Sequence, residues 1–504
     1  MTLETFFEKF ELFADAPDAE AKVRELVLDW AVTGKLCHTD SAEWSEGVLG
    51  DVIELISGQH LLGHEHNAEG RGIPYLTGPS DFGEKNPIPT RWTEQPKVTA
   101  KPGDILITVK GSGVGKTNVL VDQPTAISRQ LMAIRVTGAE PEFVHLVLKR
   151  AAEHFLNTKI GIAIPGIGRR EVLSLKVVLP SLAEQKRIVA KVDELMALCD
   201  RLEAQQQERA AKHTTLARAS LARFADAPTP ANLNLLFHKS YSIPPTDLRK
   251  SILTLAVQGK LVPQDPNDEP ATRLLAQIAE EKRRLIAVGT IRDKKGPLPI
   301  TEDELPFGVP SGWEWTRVSS ITRRIHYGYT ASAKSELKDV RLLRITDIQN
   351  NFVDWPSVPG CEIAKDDVGQ YRLGRGDILV ARTGGTVGKT YLVQDVPVVA
   401  VFASYLIRIQ GATSLLDRYL KLFLESPTYW VQLEEGARGA AQPNVNGQTL
   451  GNMVVPIPPL AEQRRIVAKV DELMALVDQL ETQLAHSRGT AEKLMEAVVA
   501  ELTT

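Results

Sequence analysis

The chain has 504 residues, 43% of them hydrophobic and 24% charged, with a net charge of −4; this composition excludes fibrous and wholly disordered classes and asks for more than one core. No run reaches the roughly 20 apolar residues of a membrane span, and the opening MTLETFFEKFELFADAPDAE has no basic stretch followed by an apolar one, so a cytoplasmic protein is expected. Cys37, Cys199 and Cys361 are odd in number and far apart, which argues against zinc spacing and a disulfide framework and predicts reduced thiols.

In chain order, a short helical region ends at AVTGKL (Ala31–Leu36), and a globular segment follows from about Trp44. In it GDILI and LMAIRV are short strand-like runs bounded by Gly, Pro or Asp, and LVLKRAAEHFL reads as helix. Pro180 precedes a long helix, where proline costs no intrahelical hydrogen bond. Its residues Ile188, Val192, Leu195, Cys199 and Leu202 step by four and three as in a coiled-coil seam. The beat then meets Gln206, Arg209 and His213 before Leu216 and Ser220. The helix is expected to end near Phe224, and ADAPTPANLN reads as a linker before a second repeat from about Tyr241.

The second half brings AVQGKL (Ala256–Leu261), then an amphipathic helix over 272–288 and the loop-like RDKKGPLPITEDELPFGVPSG, neither with a counterpart earlier. GDILV and YLIRIQ read as strands and YLKLFLESPTYWVQL as helix, so both globular segments are expected to be mixed α/β. After Pro458-Pro459 a second long helix carries the seam Ile466, Val470, Leu473, Val477, Leu480 and Leu484, continuing through Ala491, Leu494 and Val498 with Ser487 as the interruption.

The internal repeat decides the reading. LAEQKRIVAKVDELMALCDRLE (182–203) and LAEQRRIVAKVDELMALVDQLE (460–481) agree at 19 of 22 positions, at an offset of 278. GDILITVKGSGVGKT (103–117) answers GDILVARTGGTVGKT (376–390) at an offset of 273, AVTGKL pairs with AVQGKL, and Glu43-Trp44 pairs with Glu314-Trp315. Between these landmarks the halves diverge, so one mechanical task is performed twice on two different targets. The expected class is mixed α/β (α+β), organised as a helical region (1–40), a globular domain (41–180), a long helix (181–225), a linker and helical region (226–309), a second globular domain (310–458) and a second long helix (459–504). Helices of about 40 residues span about 60 Å; paired antiparallel about a pseudo-two-fold axis, they would hold the two domains apart as a ruler.

The P-x-L-A-E-Q-[KR]-R-I-V starts at Pro180 and Pro458, the G-D-I-L…V-G-K segments, ITEDELPFGVPSGWEW (300–315) and the two-repeat order together resemble the specificity (S) subunit of type I restriction-modification systems. The resemblance implies a non-catalytic DNA-binding subunit. Its two target-recognition domains would each read half of a bipartite, asymmetric double-stranded site, with the helices setting the spacer. It also implies two modification (methyltransferase) subunits bringing S-adenosylmethionine, and two restriction subunits using ATP and Mg2+, with no cofactor or metal on this chain. The domains permit DNA binding: residues 311–458 hold 16 Lys and Arg against 14 Asp and Glu, and residues 44–180 hold 15 against 14.

Candidate DNA-binding residues follow from side-chain chemistry in expected loops. Lys110, Ser112, Lys116 and Thr117, with Arg382, Thr383, Lys389 and Thr390, flank the two VGKT loops; these miss the G-x-x-x-x-G-K-[ST] spacing of a nucleotide-binding loop and read either as a structural glycine turn or as a loop presenting lysine to DNA. Arg169 and Arg170, and Gln442, Asn444 and Asn446, precede the last strand of each domain and are of types that contact guanine or adenine edges, although the Asn residues equally suit a turn's backbone. Tyr327, Tyr329 and Lys334 suit phosphate positioning or stay ordinary surface. His60, His64 and His66 form H-x-x-x-H-x-H without counterpart and read as a solvated loop rather than a metal site. A coiled-coil scaffold without DNA reading and an NTPase at VGKT are the competing functions.

Overall fold

The computed structural model describes residues 19–36, 44–83, 86–111, 113–157, 166–227, 229–237, 243–292, 296–437 and 445–503. They fall into two compact units, one of residues 1–209 with 486–504 and one of residues 210–485.

In the first unit, helix α1 (Ala19–Thr33) is followed by β1 (Ser45–Val48), β2 (Ile53–Ser57), β3 (Ile73–Leu76), β4 (Trp92–Thr93), β5 (Thr99–Ala100), β6 (Ile105–Thr108), β7 (Thr117–Val119), β8 (Thr125–Ile127) and β9 (Leu131–Val136). Helices α2 (Pro141–Arg150), α3 (Ala152–Asn157) and α4 (Arg169–Leu173) and strand β10 (Lys176–Leu179) follow, and then the long helix α5 (Leu182–Asp226), whose residues from 210 on belong to the second unit. An antiparallel sheet runs β2-β9-β6-β7, a second runs β4-β3-β8-β5 with β3 and β8 parallel, and β1 pairs with β10. Strand β6, covered on both faces, reads ILIT and is buried throughout.

The second unit adds α6 (Pro230–Leu236), α7 (Pro245–Val257) and α8 (Ala271–Ala287) before β11 (Glu314–Arg317), α9 (Val318–Ile321), β12 (Thr322–Tyr327), β13 (Arg341–Leu343), β14 (Ile348–Gln349) and β15 (Phe352–Val353). Then come α10 (Lys365–Tyr371), β16 (Ile378–Ala381), β17 (Thr390–Leu392), β18 (Ala400–Phe402), β19 (Leu406–Gly411), α11 (Asp417–Phe423), α12 (Pro427–Ala437), α13 (Gly447–Asn452), β20 (Val454–Ile457) and α14 (Leu460–Thr503). The order β12-β19-β16-β17 repeats β2-β9-β6-β7, β13 parallels β18 as β3 parallels β8, and β11 pairs with β20 as β1 does with β10. Both domains are therefore the mixed α/β type expected, with each expected helical run split in two.

The shared motifs have local causes. In both GDIL segments the glycine is left-handed (Gly103 φ +92, Gly376 φ +90), and the next aspartate folds back to accept from a backbone N–H, Lys101 to Asp104 Oδ2 at 2.8 Å and Gly374 to Asp377 Oδ2 at 2.9 Å. In both LAEQ starts the glutamine carboxamide is a buried joint. Gln185 Oε1 accepts from Glu140 N at 2.7 Å while its Nε2 donates to Pro180 O at 2.8 Å. Gln463 accepts from Leu416 N at 3.3 Å and donates to Pro458 O at 3.0 Å. Glu140 and Leu416 are the residues that begin α2 and α11, so one side chain ties each globular domain to its long helix.

Each short N-terminal helix lies along the long helix of its own half. Arg24 bridges Asp200 (2.7 Å) and Glu203 (3.1 Å); Arg249 bridges Asp478 (2.8 Å) and Glu481 (2.5 Å). The seam residues Ile188, Val192, Leu195 and Cys199 share a core with Val23, Leu26 and Val27 of α1, and also with Ala491 near the end of α14. In the second unit Ile466, Val470, Leu473 and Val477, with Leu480 at the margin, share a core with Leu248 and Ile252 of α7 and with Ala217 and Phe224 near the end of α5. Within each unit the first part of one long helix thus meets the last part of the other, the antiparallel order, with a short helix as a third member of the packing. Leu484 is half-buried, and the side chain of Leu202 lies outside the described residues.

Several expectations need correcting. The strand register places Ser45 opposite Leu179 and Glu314 opposite Ile457, so the equivalent of Trp44 is Trp313, not Trp315. Trp44 and Trp313 each sit against the glycine of the preceding AV-x-GKL motif, Gly34 and Gly259. On α5 the buried residue is Ala217 while Leu216 is 46% exposed, and Leu494 on α14 is 41% exposed. Helix α5 runs to Asp226, and the expected linker contains α6, capped by Thr229 Oγ1 accepting from Asn232 N at 3.3 Å. Tyr241 and Cys37 lie outside the described residues. Cys199 and Cys361 are free and buried. Among the described residues no helix is long and apolar enough to cross a membrane.

Two tests follow from this packing. Leu473→Ala, at a fully buried site, should cost roughly 2–5 kcal/mol and lower the urea midpoint, whereas Leu494→Ala should change stability by less than about 0.5 kcal/mol. Burial holds the His145 imidazole at about 4 and pushes the Asp417 carboxyl up to about 6, with opposite consequences. Below the unfolded histidine value, protons bind the unfolded chain in preference, so lowering the pH from 7 to 5 should cost the first unit about 2 kcal/mol. Asp417, whose folded value is raised, is penalised as pH rises and should regain stability for the second unit over the same interval. Hydrogen exchange at the two pH values should show protection falling around α2 and not around α11.

Candidate nucleic-acid interface

In each domain three segments converge at one end of the four-stranded sheet: the hairpin loop between its last two strands, the C-terminal end of its first strand, and the chain entering the helix before its final strand. Strands β6 and β7 are antiparallel neighbours, as are β16 and β17. Gly115 N donates to Thr108 O and Gly388 N to Ala381 O, both at 2.9 Å, closing the two turns. Both glycines are left-handed (φ +87 and +81). A Cβ at Gly115 would crowd Ala152 and Phe155, and one at Gly388 would collide with Leu433 and Trp430. VGKT is therefore a hairpin turn packed beneath a helix. A strand follows the lysine where a nucleotide-binding loop needs a helix N-terminus, so the NTPase reading has no structural footing.

The hairpin is stitched to the third segment in the same way twice: Ile167 N donates to Val109 O at 2.9 Å, and Val445 N to Arg382 O at 3.1 Å. This makes Val109 and Arg382 equivalent, as the 273 offset requires. The first strand ends alike in both: Gly58 N donates to Leu131 O at 3.1 Å and Gly328 N to Leu406 O at 3.2 Å. Register then makes Ser57, opposite Met132, the equivalent of Tyr327, opposite Ile407.

On this common frame the side chains differ. In the first domain Arg169 Nη1 donates to Leu55 O at 2.7 Å and Ser57 Oγ at 3.0 Å. In the second, the position of Arg169 is Gly447, whose N–H donates to Tyr327 Oη at 3.1 Å, and the guanidinium comes instead from the hairpin, with Arg382 Cζ 4.7 Å from the centre of the Tyr327 ring. Tyr405, whose carbonyl accepts from Arg382 N at 3.0 Å, is 66% exposed beside it.

The remaining candidates divide. Lys110, Lys116, Lys389 and Arg170 are exposed around this corner, and no ion pair to them is found among the described residues. Lys110 is bridged to Gly166, which places it in the corner. Thr117 is turned inward: its Oγ1 lies 3.0 Å from Nε2 of the part-buried His145. Its equivalent Thr390 has a buried hydroxyl without a hydrogen-bond partner among the described residues. Asn446 caps α13, its Oδ1 accepting from Gln448 N at 2.9 Å and Thr449 N at 2.8 Å, so the turn reading holds for that oxygen. Tyr329 packs against Tyr371, ring centres 5.3 Å apart, in a small cluster with Leu342 and Val401. Lys334 is paired with Glu362 at 2.6 Å, which holds its ammonium above the usual lysine range. Thr383 is half-buried where the second hairpin turns; Ser112, Gln442 and Asn444 lie outside the described residues. His66 stacks on Tyr75 with ring centres 5.6 Å apart, and among the described residues no group of His, Cys, Asp or Glu is placed to hold a metal ion.

Sequence reasoning missed Ser57 and Tyr405. Ser57 had no signal of its own; it becomes visible only once strand register equates it with Tyr327. Tyr405 opens the recognisable strand run YLIRIQ, and a bulky aromatic at a strand start was the available signal.

The family model described as the type I restriction modification DNA specificity domain matches residues 41–212 and 310–486. The chain is 31% identical over 422 residues to the type I restriction enzyme EcoAI specificity subunit of Escherichia coli, covering 77% of this chain and 67% of that one. It is 28% identical over 416 residues to the EcoEI specificity subunit, also of Escherichia coli, with the same coverage of 77% and 67%. A solved chain described under the structural basis of complex assembly and conformational transition of the type I R-M system superposes with a TM-score of 0.50 at 18% identity, covering 92% of this chain and 97% of that one, a likeness of fold. Two matched domains, each built on the same frame with its own polar corner, place the chain in the type I restriction-modification DNA specificity family, as a specificity subunit.

Proposed function

We propose that this chain reads a split, asymmetric double-stranded DNA site, one half with each globular domain, on behalf of modification and restriction subunits in the cytoplasm. The observation that carries the reading is the corner just described: one backbone frame is built twice, and the groups it presents are a serine and arginine in one copy and a tyrosine and arginine in the other. A scaffold that only assembled other subunits would have no need for two chemically distinct polar corners on identical strand ends. Phosphate contacts would fall to the hairpin lysines and Arg170, with base edges read from the corner.

The two long helices would set the spacer between the half-sites. The duplicated helical packing offers two similar surfaces, which suits two modification subunits. S-adenosylmethionine would belong to those subunits, and ATP with Mg2+ to two restriction subunits, leaving this chain to supply address rather than chemistry.

Exchanging residues 44–180 for the corresponding domain of another family member, and sequencing the methylome of a host that also carries the modification partner, should change one half of a bipartite adenine-methylated motif and leave the other half intact. A change in both halves would contradict the modular reading. Lys116→Ala and Lys389→Ala should each weaken binding to all sequences about equally and lower the salt slope of log K by about 1, without creating or removing ATP affinity. A variant that altered base preference while the salt slope stayed fixed would move that lysine from backbone to base contact.

A further inference from the structure

We infer that Gln130 and Tyr405, which occupy one and the same place in the repeated frame, determine base specificity in their domains, Gln130 by bonding the edge of an adenine and Tyr405 by covering the methyl of a thymine. This rests on the DNA-reading function proposed above and adds the residues and the base pair.

Backbone bonds make the two positions equivalent. Leu131 N donates to Ser128 O and Leu406 N to Ala403 O, both at 2.9 Å, so Gln130 and Tyr405 each stand third in a four-residue turn that opens a sheet strand. The carbonyl of each accepts from the hairpin, Gln130 O from Val109 N at 2.8 Å and Tyr405 O from Arg382 N at 3.0 Å. The main chain is therefore fixed, and the side chain has no part in fixing it. Both residues are exposed, Tyr405 by 66%. Among the described residues neither side chain makes a hydrogen bond, an ion pair or a ring contact.

Other differences between the two corners are taken up inside the domains. Ser57 is bonded to Arg169, Val109 is buried, the Tyr327 hydroxyl takes the Gly447 N–H, and Arg382 lies over the Tyr327 ring. At the turn, by contrast, an exposed carboxamide is exchanged for an exposed phenol ring and no internal contact accounts for the exchange. In the first domain a Cβ on Gly78 would lie 2.7 Å from Gln130 Oε1, and one on Gly113 would lie 2.6 Å from Pro79 Cγ and 3.7 Å from Lys116 Cδ. Gln130 and the hairpin lysine thus border the same Gly78-Pro79 segment, one with chemistry for a base and the other for a phosphate. A carboxamide carries a donor and an acceptor that match N7 and the N6 amino group of adenine in the major groove, and an aromatic ring gives apolar contact to the thymine methyl. One turn then reads an A·T pair by its purine in one half-site and by its pyrimidine in the other.

The test uses the full chain assembled with its modification subunits and duplexes carrying the motif that the wild-type complex methylates, altered one base at a time away from the methylated adenines. At one adenine of the half-site read by the first domain, 7-deazaadenine, which lacks the N7 acceptor, should weaken wild-type binding roughly ten-fold. At one thymine of the other half-site, deoxyuridine, which lacks the methyl, should weaken it about four-fold. Gln130→Ala, and Gln130→Met, which keeps the length and loses the amide, should abolish the first effect alone, and Tyr405→Ala the second alone. The thermal midpoint and the non-specific affinity should stay as in the wild type, separating reading from folding. Gln130→Tyr should exchange sensitivity to 7-deazaadenine for sensitivity to deoxyuridine in the same base pair. A half-site insensitive at every position, a variant that weakens every duplex equally, as a phosphate contact would, or one that alters the other domain's half-site overturns the inference while leaving the DNA-reading function standing. A wild-type complex that prefers no sequence overturns both.

Discussion

Everything that could make this molecule a reader of split sites passes through two buried carboxamides. Gln185 and Gln463 each accept from the backbone N–H that begins a domain helix and donate to the carbonyl of the proline residue before a long helix. Both groups are removed from water, so an unmade bond would cost about 1–3 kcal/mol, and neither apolar nor charged side chains can supply a donor and an acceptor on one rigid plane. A glutamine at the fourth position of LAEQ thus joins a domain to a long helix through one planar group that both accepts and donates. The adjacent Glu462 extends the joint, taking Trp313 Nε1 at 2.9 Å and Gln264 Nε2 at 2.7 Å, although burial pushes its carboxyl up. The identity of the two LAEQ segments is therefore explained by mechanics. No ligand needs to be invoked.

The same logic separates what could be read in the chain from what could not. Helix seams, strand runs and hairpin glycines declare themselves because their causes are local: a period, a left-handed φ, an Asp that folds back on its own backbone. The pairing of Trp44 with Trp315 failed because a shared Glu-Trp dipeptide suggested an alignment that strand register overrules. Leu216 failed because a heptad beat was carried across a polar stretch where no buried residue enforces it. The corner was only half legible. Arg169, Tyr327 and Arg382 could be singled out by residue type, but nothing in a linear comparison places Arg169 and Arg382 together, since one aligns with a glycine and the other with a valine.

The framework tolerates such traffic because its polar positions are defined by satisfied bonds and not by fixed partners. Asp104 receives two donors from Arg135, Nε at 3.0 Å and Nη2 at 2.9 Å. At the equivalent Asp377 the residue replacing Arg135 is Gln410, which supplies one donor at 2.9 Å, and Arg408, two residues earlier on the same strand face, supplies the other at 3.1 Å. The carboxylate keeps its two donors while the cation moves by one pleat. Arg408 can be buried there because Nη1 also donates to Arg372 O, while its other two nitrogens donate to Gln370 O and His326 Nε2, which leaves little of its charge unsolvated.

Conserved geometry with mobile chemistry is what a protein needs if it must change its target without losing its assembly. Substitutions at Ser57, Tyr327 or Arg382 lie at strand ends and in a hairpin, where no glutamine joint, seam or sheet register depends on the side chain, whereas Val109 is buried in the core that also holds the first seam. Substitutions at Gln185, Asp104 or Leu473 would strike the frame that both domains share. The two sets do not overlap, so new specificity can be acquired in one domain while the helices, the joints and the other domain remain as they are, and the duplication allows the two half-sites to drift apart independently.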